Sequence, residues 1–188
     1  MQNNDFKSNE TFKKSAALSS LTQEKQTIES KLSLRLAGES DETFLATVYA
    51  ATRTDELAMF GWSAEQQFAF CQMQFRLQTQ AYKMQFPDAV CYVVEFDEKA
   101  CGRLLVARNE QEIRLIDVAL LPEFRNQGAG KILIENLQRE AEAANKSLNL
   151  RVLRDNSGAF RLYAKLGFVV VEESQTHFTM QWRAAANK

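Results

Sequence analysis

The stretch Arg125-Asn126-Gln127-Gly128-Ala129-Gly130 sets two glycines one residue apart, directly before a run with helical spacing of Ile132, Leu133, Leu137 and Ala141. Glycines at such a junction let the backbone approach a ligand that a Cβ would hold off. The first N–H groups of a helix have no intrahelical acceptor and sit at the positive end of its dipole. A turn of this kind is a seat for phosphate or pyrophosphate. Two nucleotide versions are excluded by the residues themselves. A P-loop requires a glycine where Arg125 stands and a hydroxyl where Ile132 follows Lys131. A dinucleotide fingerprint requires a third glycine where Leu133 stands.

Asp117 is the second chemical group. It interrupts the apolar run Ile113, Leu115, Ile116, Val118, Leu120 and alternates with Ala119, so that their side chains share a strand face. A carboxylate there can serve as general base or amine anchor with a raised pKa. It can equally be the ion-pair partner of Arg103 or Arg114. Metal chemistry finds no support. His177 is the one histidine, and Cys71, Cys91 and Cys101 lack CxxC spacing, which reads as reduced thiols of a cytosolic protein. With 23 Lys and Arg against 24 Asp and Glu, the net charge of −1 gives no nucleic-acid or anionic-membrane footprint. No apolar run approaches the ~20 residues of a membrane span and no secretory signal is visible, so the expected location is cytoplasmic.

The elements that must position these groups follow from periodicity and punctuation. Residues 1–30 are polar and read as a tail, disordered or weakly helical, outside a single domain spanning 31–184. Leu32, Leu34 and Leu36 alternate as in a half-buried strand, and Ser40-Asp41 caps a short helix reaching about Thr52. Ser63 and Gln66 form a capping box for a long helix that Pro87 ends, with an aromatic stripe at Phe68, Phe75, Tyr82 and Phe86. Strands are expected at Ala89–Phe96, Cys101–Arg108 and Glu112–Leu121, the first two joined by a turn at Asp97–Ala100, which implies an antiparallel meander. A helix from Gly128 to about Asn145, a strand at Leu148–Leu153, a helix at Ser157–Lys165 stopped by Gly167, and strands near Val169–Val171 and His177–Trp182 complete the chain. This is an α/β (α+β) pattern: a mixed sheet with helices on both faces.

Arg125, Gly128 and Gly130, after a strand ending before Pro122, match the acetyl-CoA-binding motif Arg-x-x-Gly-x-Gly of the GNAT superfamily of N-acetyltransferases, which the sequence closely resembles. Asn156, Ala159, Leu162-Tyr163 and Lys165-Leu166-Gly167-Phe168 resemble the family's second motif, in the right order and at the usual separation. The resemblance covers roughly residues 32–183. It implies a mostly antiparallel sheet of about seven strands, splayed between the fourth and fifth by a bulge in the fourth. The pantetheine arm would lie in that gap, against the backbone of Ala119, Leu120 and Leu121. The Leu120 amide would polarise the thioester carbonyl, and the amides of Arg125, Asn126, Gln127, Gly128, Ala129 and Gly130 would hold the pyrophosphate, with a charge-assisted contact from the Arg125 side chain and with Lys131 among the cofactor-binding residues.

Asn156 would face the pantetheine, or serve simply as a helix cap. Tyr163 stands where the family places a general acid for the departing thiolate, its alternative being core packing. Asp117 would be the base, with water-relayed deprotonation as the competing account. Acceptor specificity in the family lies in the first helices and last strands, and Phe60, Trp62 and Tyr82 are the pocket residues expected here. The co-substrate is acetyl-CoA, without a metal. The acceptor expected is a small-molecule amine. A protein N-terminal or lysine acetyltransferase and a non-catalytic acyl-CoA-binding or sensing module are the alternatives. Dimers are frequent in the family, so a homodimer is allowed.

Overall fold

The computed structural model of the protein describes Thr22, Gln23 and residues 25–184. Most of the polar segment 1–30 therefore lies outside the described residues. Its last part is helical: residues 25–31 form α1, which docks on the molecule instead of trailing from it. Lys25 pairs with Glu135 at 2.8 Å and Glu29 pairs with Arg139, so the sequence boundary at residue 31 cuts through a packed helix end.

Seven strands form one sheet in the order β1-β2-β3-β4-β5-β7-β6. They are β1 (Leu32–Leu36), β2 (Val90–Phe96), β3 (Lys99–Arg108), β4 (Glu112–Leu120), β5 (Ser147–Leu153), β6 (Val169–Glu173) and β7 (His177–Trp182). Every pairing is antiparallel except β4 with β5. The β2–β3 turn is made by Asp97 and Glu98, both with positive φ (48° and 62°), so its two-residue loop is tighter than the expected Asp97–Ala100 span. β1 is an edge strand: Leu32 packs on the core, but Leu34 and Leu36 are exposed, and the expected half-burial stops at one residue.

Each face of the sheet has its own core. On one side lie α5 (Ala129–Ala143) and α6 (Ser157–Lys165), which bury Leu133, Ile134, Leu137 and Tyr163 against Leu104, Val106, Ile113, Leu115, Leu148 and Leu150. On the other lie α2 (Glu42–Ala51) and α4 (Ala64–Gln85), joined by a short α3 (Thr54–Leu57), with Leu45, Tyr49, Cys71 and Phe75 packed on Val93. Ser63 and Gln66 exchange the two capping-box hydrogen bonds expected at the start of α4.

β4 changes face in mid-course. Leu115 sits in the α5 core, yet Asp117 two residues later faces α4, where strand alternation alone would keep them together. The register explains it. Leu105 pairs with Asp117 and Val106 with Leu115, so Ile116 is an extra residue, a β-bulge. Pairing with β5 stops at the same place: Leu115 with Leu150 is the last pair, while β5 continues to Leu153 against β7. The second half of β4, Ile116–Leu120, is left beside an open gap.

Candidate active site

The gap presents backbone, and alternation decides which groups face it. The Leu121 amide donates to the Cys101 carbonyl at 2.8 Å, so Leu121, Ala119 and Asp117 turn their peptide groups toward β3. Leu120 and Val118 turn theirs the other way, into the gap. This corrects the expectation for Ala119 and Leu121, whose amides are committed to the sheet. It adds Val118, which sequence reasoning missed because the direction of a peptide group depends on pairing register. Gly102 keeps this arrangement tight: a Cβ there would lie 2.3 Å from the Ala119 carbonyl oxygen and 2.6 Å from a Leu120 methyl. The two strands approach too closely for any other residue.

Beyond β4, a short turn at Pro122–Phe124 leads into the glycine segment. Asn126 and Gly128 are both left-handed (φ 58° and 88°), and Gly128 is the N-cap of α5. Alternating handedness aims successive N–H groups into one concavity. Among the described residues, the amides of Asn126, Gln127, Gly128, Ala129, Gly130 and Lys131 donate to nothing, and the ladder begins with Ile132 to the Gly128 carbonyl at 3.1 Å. At Gly130 the backbone is ordinary helix, and an added Cβ would meet only a Leu120 methyl at 4.0 Å. The fold does not require glycine there; the space beside it stays open.

Arg125 behaves differently from the expectation placed on it. Its amide donates to the Pro122 carbonyl at 3.2 Å. Its guanidinium donates to the Leu120 carbonyl at 2.7 Å and to the Ala51 carbonyl at 3.0 Å. The side chain is a strut that fixes the end of β4 against the end of α2. A planar group with several donors suits that bridging.

α6 carries two more of the expected residues, Asn156 at its cap and Tyr163 within it. Asn156 is its N-cap, with Oδ1 accepting from the Ala159 amide at 3.1 Å, so the capping role is real whatever else its amide group does. The helix ends in a Schellman motif: Phe168 N–H donates to the Tyr163 carbonyl and Gly167 N–H to the Ala164 carbonyl, both at 3.1 Å. The accompanying apolar contact is between the Phe168 and Tyr163 rings, whose centroids are 5.7 Å apart. The cap therefore sets the tyrosine. Burial pushes the Tyr163 phenol up to about 12, with the Asp117 charge adding to the shift. Its hydroxyl makes no hydrogen bond among the described residues.

Side chains make up the other face. Arg103, buried in the sheet, donates from Nε to Asp117 Oδ2 at 2.5 Å and from Nη2 to Gln78 Oε1 at 2.8 Å, with its guanidinium over the Tyr49 and Phe75 rings. Of the two partners open to Asp117 from sequence, Arg103 and Arg114, the structure selects Arg103. Beside this network a cavity of ≈ 170 Å³ is lined by Tyr82, Gln85 and Phe86 from the end of α4, Arg114, Leu115 and Ile116 from β4, Arg151 from β5 and His177 from β7. It opens where β4 leaves β5.

Tyr82 is thus placed at a cavity, its phenol pushed up by burial and then by Asp117. Phe60 and Trp62 do not line this cavity. They stack at 5.2 Å before the start of α4, whose length separates them from Tyr82 by about 27 Å at ~1.5 Å per residue. The three residues expected as one pocket belong to opposite ends of a helix. Arg114, Arg151 and His177 were missed as a set. Each alternates with apolar strand residues, a pattern that two strands must be paired to interpret.

No group of acidic, His or Cys side chains able to hold a metal occurs among the described residues, and none of their helices is long and apolar enough to cross a membrane. The chain resembles the crystal structure of PaiA N-acetyltransferase from Thermoplasma acidophilum in complex with coenzyme A, with 20% identity and a TM-score of 0.60 over 81% of this chain and 98% of that one. It also resembles a GNAT family acetyltransferase from Elizabethkingia anophelis with acetyl-CoA bound, with 12% identity and a TM-score of 0.55 over 81% and 98%. Among curated sequences it is 28% identical to CgeE of Bacillus subtilis, named as an uncharacterized N-acetyltransferase, over 109 residues. That alignment spans 53% of this chain but only 42% of CgeE. The model of the Acetyltransferase (GNAT) family matches residues 36–168, from the end of β1 to the cap of α6. The chain belongs to the GNAT family of acetyltransferases.

Proposed function

We propose that the protein transfers the acetyl group of acetyl-CoA to a primary amine of a small molecule, by direct attack within a ternary complex. One observation carries the reading. Among the described residues, unused backbone donors run from Val118 and Leu120 at the open edge of β4 to the amides of Asn126–Lys131 at the start of α5, with the largely buried Tyr163 nearby. Such a track suits an extended thioester ending in a pyrophosphate.

In this scheme the amides of Asn126–Lys131 hold the pyrophosphate, while Asn156 flanks the pantetheine arm. The Leu120 amide, or that of Val118, donates to the thioester carbonyl oxygen as negative charge develops there. Single donors of this type contribute ~3 kcal/mol in other enzymes. The amine nitrogen bonds to the carbonyl carbon, the carbon–sulfur bond breaks, and the sulfur leaves as thiolate to take a proton. Tyr163, held near 12, stays protonated at neutral pH and serves the sulfur as a hydrogen-bond donor. The proton lost by the amine passes to water, since the carboxylate on this face, Asp117, is engaged by Arg103.

Release of CoA thiol, measured with acetyl-CoA across a panel of primary amines, tests the reading. Acetylation of at least one amine is expected, with Tyr163→Phe lowering kcat by about 10²-fold and leaving the thermal shift by CoA unchanged. Binding of CoA with no amine acetylated would sink catalysis and leave a non-catalytic acyl-CoA-binding module.

A further inference from the structure

The cavity at the mouth of the gap has a charge pattern with a consequence for the acceptor. Two guanidiniums line it, Arg114 from β4 and Arg151 from β5. Of the carboxylates close to it on β4, Asp117 is taken by Arg103. Glu112 is bonded to both Arg114, at 2.8 Å, and the Asn149 amide. Glu112 engages Nε and Nη2 of Arg114, which leaves Nη1. Arg151 makes no ion pair among the described residues. His177, hydrogen-bonded to Thr176 at 2.8 Å, has its pKa lowered by burial and by the Arg151 charge, with the charge of Asp155 opposing. Tyr82 and Phe86 supply flat apolar walls, and the Arg114 guanidinium lies 6.0 Å from the Phe86 ring centroid.

We propose that the acceptor amine carries an anionic group, a carboxylate or a phosphate, seated between Arg114 and Arg151 while its amino end reaches the splayed edge of β4. The inference rests on acetyl transfer at that edge. A free guanidinium beside a half-engaged one matches an oxyanion with charge-assisted hydrogen bonds. The same pair repels a polyamine, so the pattern both selects and rejects. Spacing adds a constraint. Ile116 lines the cavity, and Val118, the first amide facing the gap, lies two residues further, ~6.6 Å along the strand. An amine separated from its anion by about 7 Å spans that interval, whereas an α-amino acid, whose two groups share one carbon, does not.

The test compares 6-aminohexanoate, 6-aminohexyl phosphate, hexylamine and 1,6-diaminohexane as acceptors with acetyl-CoA. The expected result is a kcat/KM at least about tenfold higher for an anionic amine than for hexylamine or the diamine. The better of the two anions identifies carboxylate or phosphate as the group recognised. Arg151 is exposed and has no ion pair among the described residues, so Arg151→Gln keeps the fold; it lowers the anionic preference about tenfold, and Arg151→Lys restores part of it. Equal or better turnover of hexylamine or the diamine overturns the proposal, as does an Arg151→Gln variant with an unchanged preference. If no amine is acetylated, calorimetric titration of the CoA-saturated protein with 6-aminohexanoate and 6-aminohexyl phosphate separates the two claims. Binding weakened by Arg151→Gln keeps the anion site while acetyl transfer fails; absence of binding overturns the anion site too.

Discussion

The two sides of the β4 gap, which we propose for acetyl donor and acceptor, are built from different materials. The donor side is backbone: the amides of Val118 and Leu120, then those of Asn126–Lys131, aimed by a bulge, a left-handed turn and a helix start. The acceptor side is side chains: the Arg103–Asp117–Gln78 network, then Tyr82, Arg114, Arg151 and His177 around a cavity. A backbone site tolerates many sequences, provided that glycines and turns recur at fixed spacing. A side-chain site can change chemistry one residue at a time without disturbing the fold. One chain can therefore keep its donor and vary its acceptor.

The sharpest way to break this comparison is to ask whether Asp117 belongs to chemistry or to architecture. Asp117→Asn leaves the buried Arg103 guanidinium without its counter-ion. Removing one partner of such a pair costs about 3 kcal/mol in folding stability. Urea denaturation should show that loss in Asp117→Asn, and most of it should be recovered in the double variant Arg103→Met, Asp117→Leu, where no charge stays buried. A stable Asp117→Asn protein with acetyl transfer lost would instead make Asp117 the base, and the amine's proton would then have a dedicated acceptor.

The second test uses the phenol of Tyr163. The Tyr163 phenol titrates near 12 in the folded protein, against about 10 in an unfolded chain. A raised folded pKa means that this contribution is complete below pH 10 and is lost as pH rises toward 12. Two units correspond to ~2.7 kcal/mol. The stability difference between wild type and Tyr163→Phe should be flat from pH 7 to 10 and then fall by about 2–3 kcal/mol. A flat difference up to pH 12 would mean that the hydroxyl is wet. It would then be a poor candidate for a fixed donor to the thioester sulfur.

The same division explains what could be read in advance. α6 was legible to its end residues, because an Asn cap, an apolar stripe and a terminal glycine each have a local cause. The succession of elements along the chain and the glycine turn were legible for the same reason. The place of the bulge was not: the resemblance implied a bulge somewhere in the fourth strand, and only the shifted register with β3 puts the extra residue at Ile116. That shift decides which amides face the gap, which is why Ala119 and Leu121 were expected there and Val118 was not. Arg114 and Arg151 were invisible as a pair because they lie on strands whose parallel alignment is set by packing between them. Arg125 is the converse case. Its motif position was legible, but its work as a strut from Leu120 to Ala51 depends on a contact 74 residues away.

The smallest effect tests the backbone side most directly. Gly130 has ordinary helical geometry and open space where a Cβ would point. For the fold alone, Gly130→Ala should be favourable by about 0.5–1 kcal/mol, since alanine loses less entropy on entering a helix. For a turn that must touch a pyrophosphate, the added methyl occupies the ligand's place. A rise in melting temperature together with a roughly tenfold higher KM for acetyl-CoA, equivalent to ~1.4 kcal/mol, is the expected combination. The opposing signs are the informative part, because damage to the fold would lower both stability and binding. If KM stays unchanged while stability rises, the free amides of Asn126–Lys131 meet their ligand from another direction, and the pyrophosphate does not lie against Gly130.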